Sequence, residues 1–204
     1  MRGQGLHGVI PEESQDEISR QEFITSLKIK VLEDLAPTNK KIFEKRVLSR
    51  IQRGDKTEKI NPKIIAQSMN NEPFWQMWSS LNRSSQEMMW DALGARIERQ
   101  LPTLAERALK IVAGRKVKGS IQVRQSFQMP RYNSAIDIHC QPGGYHTEVM
   151  DNDVCAGALY DTGAYQYGMG GQGPMSDDVG VTAGRYLKKS FPNFNPARIL
   201  DLGC

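Results

Sequence analysis

Cysteine is scarce in this chain of 204 residues, which has only Cys140, Cys155 and Cys204. Their number is odd and no two have C-x-x-C spacing, so the sequence contains neither a disulfide framework nor a common zinc module. No run approaches the roughly 18 consecutive apolar residues of a membrane-spanning helix, and residues 1–13 lack the apolar core of a secretion signal. We therefore expect a reduced, cytoplasmic protein without a membrane partner.

Neither sign of charge is in large excess, because the net charge is +4 and the pI about 9.0. Residues 28–63 are the exception, with eleven Lys or Arg against five Asp or Glu. Such a tract favours either a phosphate-binding surface for RNA or ordinary solvated helix faces. No pattern of interleaved aromatic residues accompanies the charge, so we expect solvated faces and no nucleic-acid partner.

Helical periodicity begins early in the chain. Residues 1–13 contain three glycines and no periodic pattern, and they are expected to form a flexible arm. Ser14-Gln-Asp-Glu17 has the form of a capping box, and apolar residues then recur every three or four positions to Leu35. Pro37 should break this helix, and a second helix should end near Gly54.

Further helices are predicted up to Gly114. The dense apolar run from Phe74 to Leu81 precedes a second capping box at Ser84, and Pro102 should interrupt the last helix. The Trp and Met side chains could line a cofactor site, but stripes of this kind more often form a core. Residues 14–115 are therefore predicted to be an all-helical domain.

The periodicity changes after Gly114. Apolar residues occupy alternate positions from Ile121 to Met129 and from Ile136 to Cys140, which predicts the two strands of a β-hairpin. On the second strand, Asp137 and His139 would share the polar face.

A glycine-rich segment with three tyrosines follows the hairpin and completes the region 116–175. Glycine lets the backbone approach a ligand closely, and Tyr160, Tyr165 and Tyr167 offer hydroxyl groups on apolar rings. This composition predicts a binding lid, with a flexible interdomain connector as the alternative.

Residues 176–204 begin with a predicted helix capped by Ser176 and end with Ala-Arg-Ile-Leu-Asp-Leu-Gly-Cys. The apolar residues of this ending favour a buried parallel strand. The ending resembles the first half of motif I of class I S-adenosylmethionine-dependent methyltransferases, in which two hydrophobic residues, an acidic residue and another hydrophobic residue precede Gly-x-Gly-x-Gly. The resemblance implies the N-terminal part of such an enzyme, ending inside the motif and inactive alone.

The resemblance also implies roles for individual residues. Asp201 and Gly203 would contact S-adenosylmethionine, and one of the tyrosines Tyr160, Tyr165 and Tyr167 would reach the same cofactor.

Methyl transfer to a hydroxyl or an amine also requires removal of a proton. His139 and His146 lie close in sequence to Asp137 and Glu148, and a histidine oriented by a carboxylate is a suitable general base. Alternatively, these are ordinary polar residues beside a hairpin. His139 and Cys140 would point to opposite faces of one strand, so no metal site is expected.

The predicted fold is mainly α, with a helical N-terminal domain, a small β-hairpin and glycine-rich segment, and the first strand of a truncated α/β Rossmann-like methyltransferase domain. The predicted function is transfer of a methyl group from S-adenosylmethionine to a small-molecule acceptor. The helical domain would shape the acceptor pocket or a homodimer contact. The alternative is a non-enzymatic helical interaction protein or an RNA-binding protein that uses the basic tract Lys28–Lys63.

Overall fold

The computed structural model describes residues 7–53, 60–114 and 147–200, with shorter stretches between residues 119 and 144. Regular structure in these residues is helical. The helices are α1 (Gln15–Ile29), α2 (Ala36–Ile42), α3 (Leu48–Arg53), α4 (Pro62–Met69), α5 (Pro73–Gly114), α6 (Arg131–Ser134), α7 (Cys155–Tyr167) and α8 (Asp178–Ser190).

Helices α1 to α3 form one continuous path, because π-helical segments at Lys30–Leu35 and Phe43–Val47 join them. The capping box at the start of α1 is confirmed, since the Glu17 N–H donates to Ser14 Oγ and the Ser14 N–H donates to the Glu17 carboxylate at 2.8 Å. The predicted break at Pro37 is wrong. The π segment shifts the hydrogen-bonding register just before Pro37, which then lies in the first turn of α2, where a missing N–H is tolerated.

Helix α5 is the longest of the described helices, with 42 residues and a length of roughly 63 Å. It runs without interruption through Ser84 and Pro102, where the sequence predicted a start and a break. Burial of Leu101 and Leu104 on either side of the proline offsets its lost hydrogen bond. Helices α1 and α7 pack against α5, and the core between them is built from Ile24, Met89, Trp90, Leu93, Ile97, Leu104, Ala158 and Leu159.

The segment 7–14 precedes α1 and lies along the second half of α5. Its acidic residues meet basic residues of that helix, as in the ion pair of Glu13 with the fully buried Arg96. Burial and, to a lesser extent, the positive charge of Arg99 lower the pKa of Arg96 to about 10. At its start, His7 Nε2 lies 3.0 Å from Asp161 Oδ2 on α7. Residues 7–14, mostly within the predicted arm, are thus bound to two helices.

The predicted β-hairpin and the mixed fold class are wrong for the described part of the chain, which contains no strand. Arg131–Ser134 is a helix where the hairpin turn was expected, and Phe127 is exposed and irregular. Much of both proposed strands, including Asp137, lies outside the described residues. The backbone carbonyl of His139, which a ladder would use, instead accepts hydrogen bonds from side chains of α5.

The predicted first Rossmann-like strand is likewise absent from the part of the ending that the structure describes. Ile199 and Leu200 are irregular and have 80% and 81% of their surface exposed, whereas a parallel strand is stable only when it is paired and covered. Asp201 and Gly203 lie outside the described residues. The helix before this ending starts at Asp178, with Asp177 rather than Ser176 in the N-cap position.

Candidate functional site

Helix α7 is formed by residues that the sequence placed in the glycine-rich lid, and it lies directly on α5. A Cβ atom added to Gly163 would stand 2.4 Å from two ring atoms of Trp90, so only glycine permits this approach. On the other side, the Gln166 amide donates to the Gln21 carbonyl oxygen at 2.8 Å and to the Thr25 hydroxyl. Helix α7 is therefore fixed to both α1 and α5.

The backbone around His139 is fixed by α5. Its carbonyl oxygen accepts a hydrogen bond from Gln86 Nε2 at 3.0 Å and another from Trp90 Nε1. The next residue, Cys140, has a φ of 60°, which turns the chain, and the buried Gln141 amide donates to the Gly144 carbonyl oxygen at 2.8 Å. These bonds hold His139 against the junction of α5 and α7.

A cavity of about 250 Å³ lies at this junction, and we call it the α7 cavity. Its walls combine aromatic rings with amide and imidazole groups, and its main lining residues are Gln86, Trp90, His139, Tyr160, Gly163 and Tyr167. Apolar walls that carry a few convergent polar groups are typical of small-molecule sites. The volume is slightly below the usual range of about 300–1,000 Å³ for drug-sized ligands, so it suits a small compound.

Lys28 adds a positive charge beside the α7 cavity. Only 2% of its surface is exposed, and its Nζ donates to Gln86 Oε1 at 3.0 Å. The same Nζ lies 4.5 Å from the centroid of the Tyr167 ring, which is a cation–π contact. Burial lowers the pKa of Lys28 from the ordinary value of 10.5, because water no longer solvates the charged form.

Three of the residues selected from the sequence come together in this cavity, namely His139, Tyr160 and Tyr167. Tyr165 does not line it, because its hydroxyl faces Gly170, where an added Cβ atom would meet it at 3.1 Å. The remaining candidates lie outside the described residues: Asp137, His146, Asp201 and Gly203.

Sequence reasoning missed three neighbours of the site, Lys28, Gln86 and Trp90. The sequence predicts the Trp residues to be core, which the 5% exposure of Trp90 supports, but Trp90 also lines the cavity. Lys28 was counted with the basic tract. Its spacing gave a signal, because Lys28 falls four positions after Ile24 and three before Val31, on the apolar stripe of the helix.

Two larger cavities lie elsewhere on the surface. A groove of about 420 Å³ between α1 and α5 is lined by Phe23, Ile24 and Met88, with Arg20 and Asp91 at its edges. It holds none of the candidate residues. We therefore take the smaller α7 cavity as the candidate site, since it joins aromatic walls to titratable groups.

The third cavity, of about 400 Å³, lies in the basic tract, and we call it the basic cavity. It is lined by Lys45, Arg46, Ser49, Arg50 and Arg53. The buried Glu72 carboxylate pairs with two of these side chains, Arg46 at 3.4 Å and Arg50.

Other basic residues of the tract form exposed pairs within their own helices. Lys30 Nζ lies 2.6 Å from Asp34, and Lys40 Nζ lies 3.9 Å from Glu44. Solvated pairs of this kind contribute little to stability. The described part of the tract thus includes a buried lysine, solvated pairs and the basic cavity.

Metal and thiol chemistry gain no support from the described residues, which contain no cluster of three or more His, Cys, Asp or Glu side chains. Burial raises the pKa of the Cys155 thiol, and the negative charges of Asp153 and Glu98 raise it further. A thiol with a raised pKa is a poor nucleophile at neutral pH.

Within the described ranges, no helix has the length and apolar character needed to cross a membrane.

Comparison of the chain with known protein families, with curated proteins and with solved structures gave no match.

Proposed function

We propose that this chain acts in the transfer of a methyl group from S-adenosylmethionine to a small molecule, and that the small molecule occupies the α7 cavity. The observation that carries the proposal is the meeting of His139, Tyr160 and Tyr167 in that cavity. They come from two separate segments. The sequence predicted His139 as a general base and the tyrosines as cofactor contacts, and we now propose that Tyr160 and Tyr167 contact the acceptor instead. The resemblance of residues 197–204 to motif I supports the same activity.

The α7 cavity suits the acceptor better than the cofactor. S-adenosylmethionine supplies a methyl group already activated on a sulfonium, so the protein has mainly to align the acceptor and to remove its proton. Trp90 and Tyr160 line the cavity with aromatic rings that would orient the acceptor, and the His139 imidazole would accept the proton. A cavity of about 250 Å³ is too small to hold the cofactor as well, and Asp201 and Gly203 remain the proposed cofactor contacts.

The experiment uses the protein made from the complete reading frame that encodes this chain. Transfer of a radiolabelled methyl group from S-adenosylmethionine would be measured over a panel of small alcohols, phenols and amines. We expect His139→Gln to lower turnover by about 10² or more, the usual contribution of a general base. Tyr160→Phe should raise KM if the hydroxyl contacts the acceptor.

Tyr186→Phe is the matched control, because Tyr186 lies on α8 with 61% of its surface exposed and does not line the cavity. Its turnover should equal that of the wild type. A complete protein that neither binds S-adenosylmethionine nor transfers its methyl group would refute the proposal. The DNA that follows the codon for Cys204 gives an independent test, since further glycines at the motif I spacing would support the assignment.

The basic cavity favours a second function, the binding of RNA phosphates. Lys45 and Arg53 line it together with the two arginines that pair with Glu72, and guanidinium groups are well suited to phosphate oxygens. This interface would act through charge, so RNA binding should depend on salt concentration.

We also propose a cytoplasmic location, because the cysteines are not spaced as in a disulfide framework.

A further inference from the structure

Lys28 lies on the buried face of α1, between Ile24 and Val31, which are also buried. A lysine can usually extend its ammonium to water, but here the side chain is 98% covered. An ammonium group taken out of water loses hydration free energy, and this loss is normally offset by a carboxylate partner.

No such partner occurs among the described residues. The contacts of Lys28 Nζ are the Gln86 amide oxygen at 3.0 Å and the Tyr167 ring at 4.5 Å, and both groups are neutral. Lys28 forms no ion pair within the ranges that the structure describes. Among the described residues, the charge of Lys28 therefore has no opposite charge beside it.

Both contacts of Lys28 are also walls of the α7 cavity. The orientation of the Gln86 amide is set by its other end, because Nε2 donates to the His139 carbonyl oxygen and leaves Oε1 for Lys28. Lys28 does not itself line the cavity, so its ammonium lies behind the wall, in contact with Gln86 and Tyr167. An anion in the cavity would lie next to the two side chains that contact this cation, close enough to be attracted by its charge.

We propose that the α7 cavity binds a small aromatic carboxylate and that the positive charge of Lys28, behind the wall, attracts its carboxylate group. The ring would lie against Trp90, which lines the cavity, and the anion would supply a negative charge that no described residue provides near Lys28. The cavity volume of about 250 Å³ fits a compound of one ring. This binding requires no methyl transfer, so it stands apart from the proposed function. If both are correct, the methyl acceptor is an aromatic carboxylate whose ring also carries a hydroxyl or amine group, which receives the methyl group.

The test is calorimetric titration of the 204-residue protein with benzoate and with benzamide, which has the same ring and no charge. No cofactor is present, so the result is independent of any methyltransferase activity. We expect benzoate to bind at least tenfold more tightly than benzamide, because only benzoate carries a charge that Lys28 attracts, and a tenfold difference corresponds to about 1.4 kcal/mol. Lys28→Met should weaken benzoate binding at least tenfold and leave benzamide binding unchanged.

Lys30→Met is the matched control, because Lys30 is two positions away, exposed, and paired with Asp34. It should bind benzoate like the wild type. Lys28→Arg keeps the charge and should bind more tightly than Lys28→Met, and circular dichroism would verify that each variant is folded. Equal affinity for benzoate and benzamide, unchanged benzoate binding in Lys28→Met, or no benzoate binding at millimolar concentrations would each overturn the proposal.

Discussion

The contact between Gly163 and Trp90 gives the sharpest test of how α7 lies on α5. Replacing Gly163 by alanine places a methyl group 2.4 Å from two atoms of the Trp90 ring, more than 1 Å inside the favourable carbon–carbon distance of about 3.5–4.0 Å. The indole cannot easily move away, because it is 5% exposed and its Nε1 is bonded to the His139 carbonyl oxygen. The two helices must therefore separate or the ring must leave its place.

The expected loss of stability follows from two opposing effects. Overpacking of a well-packed site costs about 1–3 kcal/mol, and the fixed indole puts Gly163→Ala near the upper end. Alanine also favours the helix over glycine by about 1 kcal/mol. We therefore expect a net loss of about 2 kcal/mol.

Gly157→Ala is the matched control. Gly157 is on the same helix but exposed, and an added Cβ atom there meets nothing within 4 Å. Only the helix preference acts at this position, so the variant should gain about 1 kcal/mol.

Urea denaturation followed by circular dichroism measures both variants. With a slope of about 2 kcal/mol per M, Gly163→Ala should lower the midpoint by about 1 M and Gly157→Ala should raise it by about 0.5 M. If both substitutions stabilise the protein equally, α7 does not lie on Trp90 and the α7 cavity does not have the walls described above.

Three further predictions concern charged residues. Because burial lowers the pKa of Lys28, ¹³C NMR of methylated lysines should show Lys28 titrating at a lower pH than the exposed lysines. The free energy of unfolding should rise with pH between that lowered pKa and 10.5, because the unfolded chain binds more protons in this range. Titration of Lys28 together with the other lysines would contradict this. Glu72→Gln should lower the free energy of unfolding by about 1–2 kcal/mol, because the buried side chain would lose its charge beside two partly exposed arginines. An unchanged midpoint in urea denaturation would show that these ion pairs do not stabilise the protein. If the basic cavity binds single-stranded RNA, the double variant Lys45→Ala and Arg53→Ala should reduce the slope of the logarithm of the RNA-binding constant against the logarithm of salt concentration by about 1.4. The control Lys110→Ala on α5 should leave the slope unchanged. An unchanged slope in the double variant would exclude RNA from the basic cavity.

Features set by neighbouring residues were predictable from the sequence. The capping box of Ser14 and Glu17 needs only residues three positions apart, and it forms as expected. The apolar stripe through Ile24 and Val31 is buried for the same reason, since its spacing alone defines a helix face.

The β-structure could not be judged in this way. An alternating pattern produces a strand only if its backbone hydrogen bonds go to a neighbouring strand, and the pattern alone does not exclude competing partners elsewhere in the chain. At His139 the competing partners are Gln86 and Trp90, about fifty positions earlier, and they take the backbone carbonyl. Ile199 and Leu200 have the composition of a core strand but no covering layer in the described part of the chain.

The candidate site was predictable by residue type and not by geometry. His139, Tyr160 and Tyr167 were selected because imidazole and phenol groups commonly contact ligands. Lys28 and Gln86 are 58 positions apart, and their meeting depends on how α1 crosses α5, which no local pattern encodes. The same packing separates Tyr165 from the other two tyrosines, although all three lie on α7.

The segment 7–14 connects the second half of α5 with α7, the helix that lines the cavity, and so acts as a brace between them. It is attached through charged or polar groups at both ends, at Arg96 and Gln100 on α5 and at Asp161 on α7. Dissolved salt weakens an exposed ion pair such as that of Glu12 with Arg107, whereas it affects the pair of the buried Arg96 much less. Ionic strength would therefore loosen part of the brace before it loosens the bundle, so the shape of the α7 cavity and the global stability of the fold need not respond to salt together.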